Sequence, residues 1–315
     1  MVAPALTFGL DVGVYGRLAT RDDIFALATL ADTSGFDAVW VADHVIFPKT
    51  FTSRYPYNAS GSFPIDMTQE PLLEPMATMG VLVGATQRVK IGAAVLVMPY
   101  RNPVLLGRML ATLDVLSGGR MILGAGVGWL EEEFVALDAR PFVARGQVTD
   151  EAITIVQRLC QGGEVSFQGE HYHLDPLISH PGSVQRPHPP ILIGGTSPAA
   201  LRRVVRLGNG WLSTGLRPER LAAPLQQLRA LWTAQGRGPT ELQLYHKLFI
   251  NLDEARYGAD GARETGTGTP AQVREDLRRL VDLGYQSVIV RYRGDDTAAQ
   301  RQQIQRWLSE VMPHV

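Results

Sequence analysis

The chain has 315 residues, of which 45% are hydrophobic and 19% are charged, and its formal net charge is -1. This composition is typical of a soluble globular protein, and so small a net charge gives no field that attracts nucleic acid or an anionic membrane. The single cysteine, Cys160, excludes an intramolecular disulfide and a metal site built from several cysteines. The N-terminus does not resemble a signal peptide and no apolar run is long enough to span a bilayer, so we expect a cytoplasmic protein.

The first two strands are predicted near the N-terminus, on either side of a helix. Leu6–Leu10 is a short apolar run, as in a buried strand. Thr20 begins the helix, because it can cap the amide three residues later and apolar residues then recur at helical spacing. Phe36–Ala42 predicts a second buried strand, which ends at two adjacent polar residues, Asp43 and His44.

The segment 45–70 differs from its surroundings, because it combines three prolines and several aromatic residues without a regular period. Loops of this length in compact domains are usually functional or disordered. The aromatic residues favour a packed lid over a disordered segment. We therefore predict a lid loop, at about 45–70, inserted after the second strand.

The third strand and the helices around it are predicted next along the chain. A helix at about 72–86 precedes the strand Lys90–Val97. Pro103 suits the first position of a further helix, which ends at Ser117 because Gly118 follows.

The fourth strand ends in a run of alternating glycines. Met121–Leu123 is apolar, as in a strand buried on both faces, and is followed by Gly124, Gly126 and Gly128. Glycine just past a strand lets another group approach the backbone closely. At this point the pattern indicates either the floor of a ligand site or a tight strand-to-helix turn. The glutamates at 131–133 then suit the start of a helix, where negative charge is favoured.

The second half of the chain repeats a strand-then-helix pattern. A helix is predicted at about 145–161, followed by an insertion at about 162–189 that carries a small hairpin. The strands of four further strand–helix pairs are predicted at Ile191–Ile193, Gly210–Ser213, Leu242–Asn251 and Ser287–Val290. Across the whole chain, glycine ends a helix and leads at once into a strand at SGFDAVWV, LSGGRMILG, RLGNGWLS and DLGYQSVIV.

Eight strand-then-helix units with buried strands predict a (β/α)8 TIM barrel, formed by a single domain over residues 1–315. The two insertions then lie after strand two and before strand five. A doubly wound open sheet is the alternative. It is disfavoured because the first strand leads into GLDVGVYG rather than a G-x-G-x-x-G dinucleotide loop.

In such a barrel the active site lies at the carboxyl ends of the strands. His44 is the candidate acid or base, because imidazole exchanges protons near neutral pH; simple capping of the strand by Asp43 and His44 is the alternative. Gly194–Ser197 precedes a helix, so it either holds a phosphate or only caps that helix through Ser197. The histidines of the insertion fit no common metal-ligand spacing, and no metal is expected.

Five segments, taken together and in order, resemble the bacterial luciferase-like superfamily. More closely, they resemble its branch of oxidoreductases that use the deazaflavin coenzyme F420. The segments are ADH at 42–44, MPYRNP at 98–103, ATLDVLSGGR at 111–120, LGAGVGWLEEEF at 123–134 and ILIGGTSPAALRR at 191–203. The resemblance covers nearly the whole chain and implies a TIM barrel that binds a flavin or deazaflavin at the carboxyl ends of its strands.

The resemblance also implies roles for individual residues. His44 stands where family members place an acid/base histidine, and Asp43 before it contacts the cofactor. Strand three carries a bulge at about Ala94–Val95, often with a cis peptide that does not precede proline, and this bulge supports the deazaflavin ring. The residues implied to bind the cofactor are Asp43, Ala94, Val95, Gly126, Val127, Gly128, Trp129, Gly194, Gly195, Thr196 and Ser197, with the last four around its phosphate.

Two departures from the family pattern bear on the cofactor and the substrate. Luciferases that use FMN carry arginines for the flavin phosphate where this chain has Val127 and Leu105, which weakens the FMN interpretation. F420-dependent sugar-phosphate dehydrogenases carry a catalytic glutamate at the position of Trp129. Trp129 is therefore expected to form a wall of the substrate pocket, together with Asp11 and Glu132.

The resemblance implies an F420-dependent oxidoreductase that transfers a hydride between C5 of the deazaflavin and a small alcohol, carbonyl compound or activated alkene. His44 is its proton donor or acceptor. The alternative is an FMN-dependent monooxygenase that uses O2 and a separate reductase, and a third interpretation is a non-catalytic flavin-binding barrel. The expected partner is a small-molecule substrate, without nucleic acid or membrane, and family members are often homodimers.

Overall fold

Eight parallel strands close into a barrel in the computed structural model, which describes residues 6–57, 60–293 and 297–315. The strands of the molecule are β1 Thr7–Asp11, β2 Ala38–Val41, β3 Lys90–Ala93, β4 Leu96–Val97, β5 Met121–Gly126, β6 Gly163–Gln168, β7 His173–Ser179, β8 Ile191–Gly194, β9 Gly210–Thr214, β10 Gln243–Ile250 and β11 Ser287–Tyr292. β3 and β4 are two parts of one barrel strand, and β6 and β7 lie outside the barrel. The predicted (β/α)8 barrel is confirmed.

The barrel closes because the sheet order β3-β2-β1-β11-β10-β9-β8-β5 returns on itself through a parallel pairing of β3 with β5. In that pairing Ile91 lies opposite Met121. The surrounding helices are α1 Arg21–Thr33, α2 Pro75–Ala85, α3 Pro103–Ser117, α4 Glu131–Ala136, α5 Arg145–Gln161, α6 Pro198–Leu207, α7 Pro218–Ala234, α8 Pro270–Asp282 and α9 Thr297–Arg306, which continues as a π-helical turn at Trp307–Val311.

The helix starts follow the capping chemistry of the sequence. Thr20 accepts a hydrogen bond from the amide of Asp23 and caps α1, as predicted. Pro103 occupies the first turn of α3, where the side chain of Asn102 accepts the amide of Val104. Local sequence therefore determines where these helices begin, within a residue or two.

The third barrel strand differs from the prediction of one continuous strand at Lys90–Val97. β3 ends at Ala93, the peptide between Ala94 and Val95 is cis, and β4 resumes at Leu96. Ala94 and Val95 leave the regular ladder, so the strand bulges where the family resemblance implied a bulge.

The two insertions behave differently. β6 and β7 pair antiparallel and form the hairpin that was predicted within 162–189. The described part of the lid loop, 45–57 and 60–70, contains neither helix nor strand. Its aromatic side chains pack against one another and against the barrel, as a packed lid requires.

The inside of the barrel is filled below the site by an apolar layer around Trp40, which is completely buried. Trp40 fits because two of its neighbours are glycines: a Cβ on Gly9 would lie 2.2 Å from its indole nitrogen, and one on Gly92 would lie 2.4 Å from its ring. The main cavity opens toward the strand ends, above this filled layer. Among the helices of the described residues, none is both long and apolar enough to cross a membrane.

Candidate active site

A cavity of about 470 Å³ opens at the carboxyl ends of the barrel strands, beneath the lid loop. The residues of the predicted site that line it are Asp43, His44, Ala94, Val95, Gly126, Val127, Gly128, Trp129, Gly194 and Gly195. Strand ends that are distant in sequence therefore meet around one cavity. In the described part of the chain, no group of three or more histidine, cysteine or acidic side chains is arranged to hold a metal ion.

One side of the cavity, here called the glycine side, consists of the Ala94–Val95 peptide and of Gly126, Gly128, Gly194 and Gly195. A Cβ on Gly126 would lie 2.4 Å from Cγ2 of Val95, and one on Gly194 would lie 3.0 Å from Cγ1 of the same side chain. The Val95 side chain fits there because the glycines carry no side chain. The result is a wall of glycines and small apolar side chains.

A second part of the lining contains Tyr55 and Phe63 from the lid loop and Trp129, and Phe47 and Phe51 pack on these rings. These five residues are here called the aromatic lid. Phe63 stacks on Trp129 with ring centroids 5.8 Å apart and planes within 13°. Tyr55 and Phe51 meet the edges of Trp129 at 5.2 Å and 6.0 Å. Trp129 thus joins the end of β5 to a loop that lies far away in sequence.

His44 lies between the barrel and the aromatic lid. Its ring centroid is 5.2 Å from that of Phe47, 5.5 Å from Phe63 and 5.9 Å from Trp129. Its Nδ1 lies 2.6 Å from Oε2 of Glu133, the third residue of α4, and only 7% of its side chain is exposed. His44 lines the cavity, and its hydrogen bond to Glu133 fixes the orientation of its ring. It is therefore placed to exchange a proton with a bound molecule.

Asp43 is held by the protein itself. Its two carboxylate oxygens pair with Nη1 and Nη2 of Arg101 at 2.7 Å and 3.0 Å, and the amide of Val97 donates to it at 2.7 Å. Burial raises the pKa of Asp43, and the guanidinium of Arg101 opposes that rise. The carboxylate therefore fixes β4 and α3 against β2, and the contact that Asp43 offers to the cavity is secondary to this role.

Asp11 lies at the end of β1 and forms an ion pair with Lys247 of β10, whose Nζ is 2.5 Å from its Oδ2. Arg291 approaches the other oxygen at 3.5 Å. Burial alone would raise the pKa of Asp11, but the charges of Lys247 and Arg291 lower it overall. Lys247 lines the main cavity and also donates to the carbonyl of Ala94, at 3.4 Å.

Four predicted site residues lie outside the lining of the main cavity. Asp11 instead lines a smaller neighbouring cavity of about 280 Å³. Ser197 caps α6 through the amide of Ala200, and neither it nor Thr196 lines the main cavity. Glu132 accepts hydrogen bonds from the amides of Thr52 and Ser53, at 2.6 Å and 3.2 Å, so it anchors the lid. It does not line the main cavity, and its expected contact with a substrate stays a prediction.

The sequence did not single out Glu133, Lys247 or the individual lid aromatics. Glu133 was one of three equivalent glutamates, because nothing in a short helix start shows which one turns inward. Lys247 lies in an apolar strand, LYHKLFI, and a charge at that position was an available signal. The basic residue Arg145 also lines the cavity, and its Nε is buried without a hydrogen-bond partner in the described structure.

Residues 6–259 match the family described as luciferase-like monooxygenase. The chain is 31% identical over 201 residues to an F420-dependent glucose-6-phosphate dehydrogenase of Microbacterium testaceum, covering 63% of this chain and 54% of that one. It is also 31% identical over 166 residues to an FMNH2-dependent dimethylsulfone monooxygenase of Pseudomonas putida, covering 52% of this chain and 45% of that one. Relatives of the chain therefore use either F420 or FMN.

The fold has a near match among solved structures. An F420-dependent secondary alcohol dehydrogenase, in complex with an F420-acetone adduct, superimposes with a TM-score of 0.78 at 18% identity. The match covers 98% of this chain and 99% of that structure. At this identity the similarity establishes the TIM-barrel architecture.

Proposed function

Because the chain belongs to the luciferase-like monooxygenase family, we propose that it is an F420-dependent oxidoreductase acting on a small organic substrate. The observation that carries the proposal is that the cavity lining combines two kinds of surface: glycines with the small side chains of Ala94 and Val95, and aromatic rings around His44. A flat ring cofactor fits against the backbone, and a small substrate fits beneath the aromatic lid.

The residues present suit a deazaflavin that carries anionic groups. On the glycine side the Val95 side chain lies against Gly126 and Gly194, and together with Ala94 it offers a small apolar surface for a planar ring system. Arg54, Arg145 and Lys247 line the cavity, and their positive charges suit a ligand that carries phosphate or carboxylate groups. Gly194 and Gly195 remain proposed cofactor contacts, while Thr196 and Ser197 would reach its phosphate only near the mouth.

When bound, F420 supplies a hydride donor or acceptor at C5 of its deazaflavin ring. The chain's own contribution is to position the reactants and to manage a proton. In the reduction of a carbonyl group, the hydride would form the new C–H bond while His44 gives a proton to the oxygen. In the reverse direction His44 would take the alcohol proton. Trp129 and Phe63 lie against His44 and exclude water from this exchange.

Two positions favour F420 over FMN. Val127 lies in the cavity wall and Leu105 is 59% exposed on α3, so neither position offers a cation to a flavin phosphate. An FMN-dependent monooxygenase is the second candidate function, because the relative from Pseudomonas putida is an FMNH2-dependent monooxygenase.

Separate titrations of the purified protein with F420 and with FMN test the proposal. We expect quenching of F420 fluorescence with micromolar affinity and little response to FMN. Reduced F420 should then be oxidised in the presence of small ketones or activated alkenes, without O2 consumption. Tight FMN binding coupled to O2 consumption, with no F420 binding, would establish the monooxygenase instead. His44→Gln should retain cofactor binding and lose turnover, by about 10² or more.

A further inference from the structure

We propose that Glu133 is a positioning residue that fixes the tautomer of His44, so that His44 exchanges protons with the cavity only through Nε2. This inference rests on the proposed role of His44, but the arrangement that supports it is visible without any ligand. Glu133 lies on α4 and does not line the cavity, so it acts on a bound molecule only through His44.

The first observation is the contact itself. Oε2 of Glu133 and Nδ1 of His44 are 2.6 Å apart. The side chain of Glu133 is 0% exposed and that of His44 is 7% exposed, so water does not compete for this hydrogen bond. In a buried pair, one nitrogen of the ring is therefore committed to the carboxylate.

The second observation is that the other partners of Glu133 are all donors. Its Oε1 accepts from the backbone amides of Val45 and Ile46, at 2.7 Å and 3.2 Å. Its Oε2 accepts from the phenol of Tyr100 at 2.9 Å. Two of these groups are backbone amides, which cannot become acceptors. Burial, together with the adjacent carboxylate of Glu133, raises the pKa of Tyr100 and keeps the phenol protonated.

With every neighbour donating, the carboxyl group of Glu133 acts as an acceptor only. Nδ1 of His44 must then carry the hydrogen that forms the 2.6 Å contact. Among the residues that the structure describes, the hydrogen bond of His44 is made through Nδ1 and leaves Nε2 for the cavity. Neutral His44 thus presents the lone pair of Nε2, and protonated His44 presents its N–H, to whatever occupies the cavity.

The substitution Glu133→Gln tests this assignment, because it preserves the shape and changes the pattern of donors. The two amides of Val45 and Ile46 require the carbonyl oxygen of Gln to face them. The amide nitrogen must then face Nδ1 of His44 and donate to it. That arrangement stabilises the opposite tautomer, with hydrogen on Nε2.

The measurement is a long-range ¹H–¹⁵N correlation spectrum of the ligand-free protein labelled with ¹⁵N-histidine, recorded at a pH where the imidazoles are neutral. His44→Gln identifies the His44 signals by their loss. We expect His44 of the wild type to be protonated at Nδ1 and His44 of Glu133→Gln to be protonated mainly at Nε2. The exposed neighbour Glu131 offers a matched control, since Glu131→Gln removes the same charge from the same helical turn.

An Nε2-protonated His44 in the wild type overturns the proposal, even if Glu133→Gln fails to fold. An unchanged tautomer in a folded Glu133→Gln protein overturns it as well, and so does an equal change in Glu131→Gln. Thermal unfolding by circular dichroism establishes whether each variant is folded. Because these readings need neither cofactor nor turnover, they stand apart from the F420 titration: a protein that fails to bind F420 can still show the tautomer switch.

Discussion

The two sides of the cavity are built in opposite ways. The glycine side belongs to the barrel strands, and its shape depends on how Val95 packs where Gly126 and Gly194 carry no side chain. The aromatic lid is made of large side chains on a loop without helix or strand. The glycine side is fixed by the hydrogen bonds of a closed sheet, whereas the lid is fixed by ring contacts and by carboxylates at the start of α4.

This difference indicates that the barrel side of the site is rigid and that the lid can open locally. A ladder of strands tolerates no extra volume, because its register would have to shift. A loop held by rings and a few hydrogen bonds can open locally without unfolding the barrel. We therefore expect damage to the glycine side to cost global stability, and damage to the lid to change local opening. The following predictions test that division, from the largest expected effect to the smallest.

Gly124→Ala should produce the largest loss of stability. A Cβ at this position of β5 would lie 2.0 Å from the carbonyl oxygen of Ala93, which is backbone and cannot move aside alone. We expect the free energy of unfolding to fall by about 3 kcal/mol or more, as for severe overpacking. Urea unfolding measures the change. Gly84→Ala in α2 is the control, because its Cβ would meet nothing within 4 Å, and it should leave stability equal or slightly higher.

Lys247→Met should also destabilise the whole barrel, by about 3 kcal/mol, because it leaves the buried carboxylate of Asp11 without its closest cation. Adding Asp11→Asn should recover part of the loss, since the uncompensated charge is then gone. The double-mutant cycle in urea measures this coupling. Purely additive effects of the two substitutions would show that the ion pair does not stabilise the barrel.

Trp129→Ala should loosen the lid while the barrel stays intact. Trp129 contacts the rings of Phe51, Tyr55 and Phe63, and each aromatic pair contributes about 0.5–1.5 kcal/mol. We expect amide hydrogen exchange in segment 45–57 to accelerate by about tenfold or more, which corresponds to roughly 1.4 kcal/mol. The strands should exchange as before. Val135→Ala, at a residue that is 78% exposed on α4, is the control; faster exchange throughout the barrel would contradict the division.

The smallest effect is expected at Glu132 and depends on pH. Burial alone would raise its pKa, but hydrogen bonds from Thr52 and Ser53 lower the pKa from 4.5 to about 2. A carboxylate whose pKa is depressed on folding stabilises the fold above its unfolded pKa, and the stabilisation is lost as the pH falls through the folded value. Pepsin should therefore cleave the wild-type lid faster as the pH falls from 4.5 toward 2.

Glu132→Gln is the comparison for that experiment, because it keeps an acceptor for Thr52 and Ser53 but cannot titrate. At pH 4.5, pepsin should cleave the lid of Glu132→Gln somewhat faster than the wild-type lid. The rate of cleavage in the variant should not rise further because of residue 132 as the pH falls toward 2. Identical pH profiles for the two proteins would mean that the carboxylate of Glu132 does not hold the lid.

The sequence alone determined the barrel and pointed to the glycine side of the cavity. Helix caps, apolar runs and glycines after helices are local signals, and in a parallel barrel the order of the strands follows from their order in the chain. The same signals placed His44 at the end of the barrel that holds the cavity, because it follows a barrel strand directly. Glycine just past a strand marked Gly126 as a possible place of close approach, and the family resemblance implied that Gly194 contacts the cofactor.

Only the tertiary structure decided which polar side chains serve the cavity and which serve the fold. Glu131, Glu132 and Glu133 are identical in sequence, yet one is exposed, one anchors Thr52 and one orders His44. Their roles depend on the orientation of the short helix α4 and on which of its side chains the lid loop contacts. No local pattern records either, because both are set by packing between segments that lie about ninety residues apart.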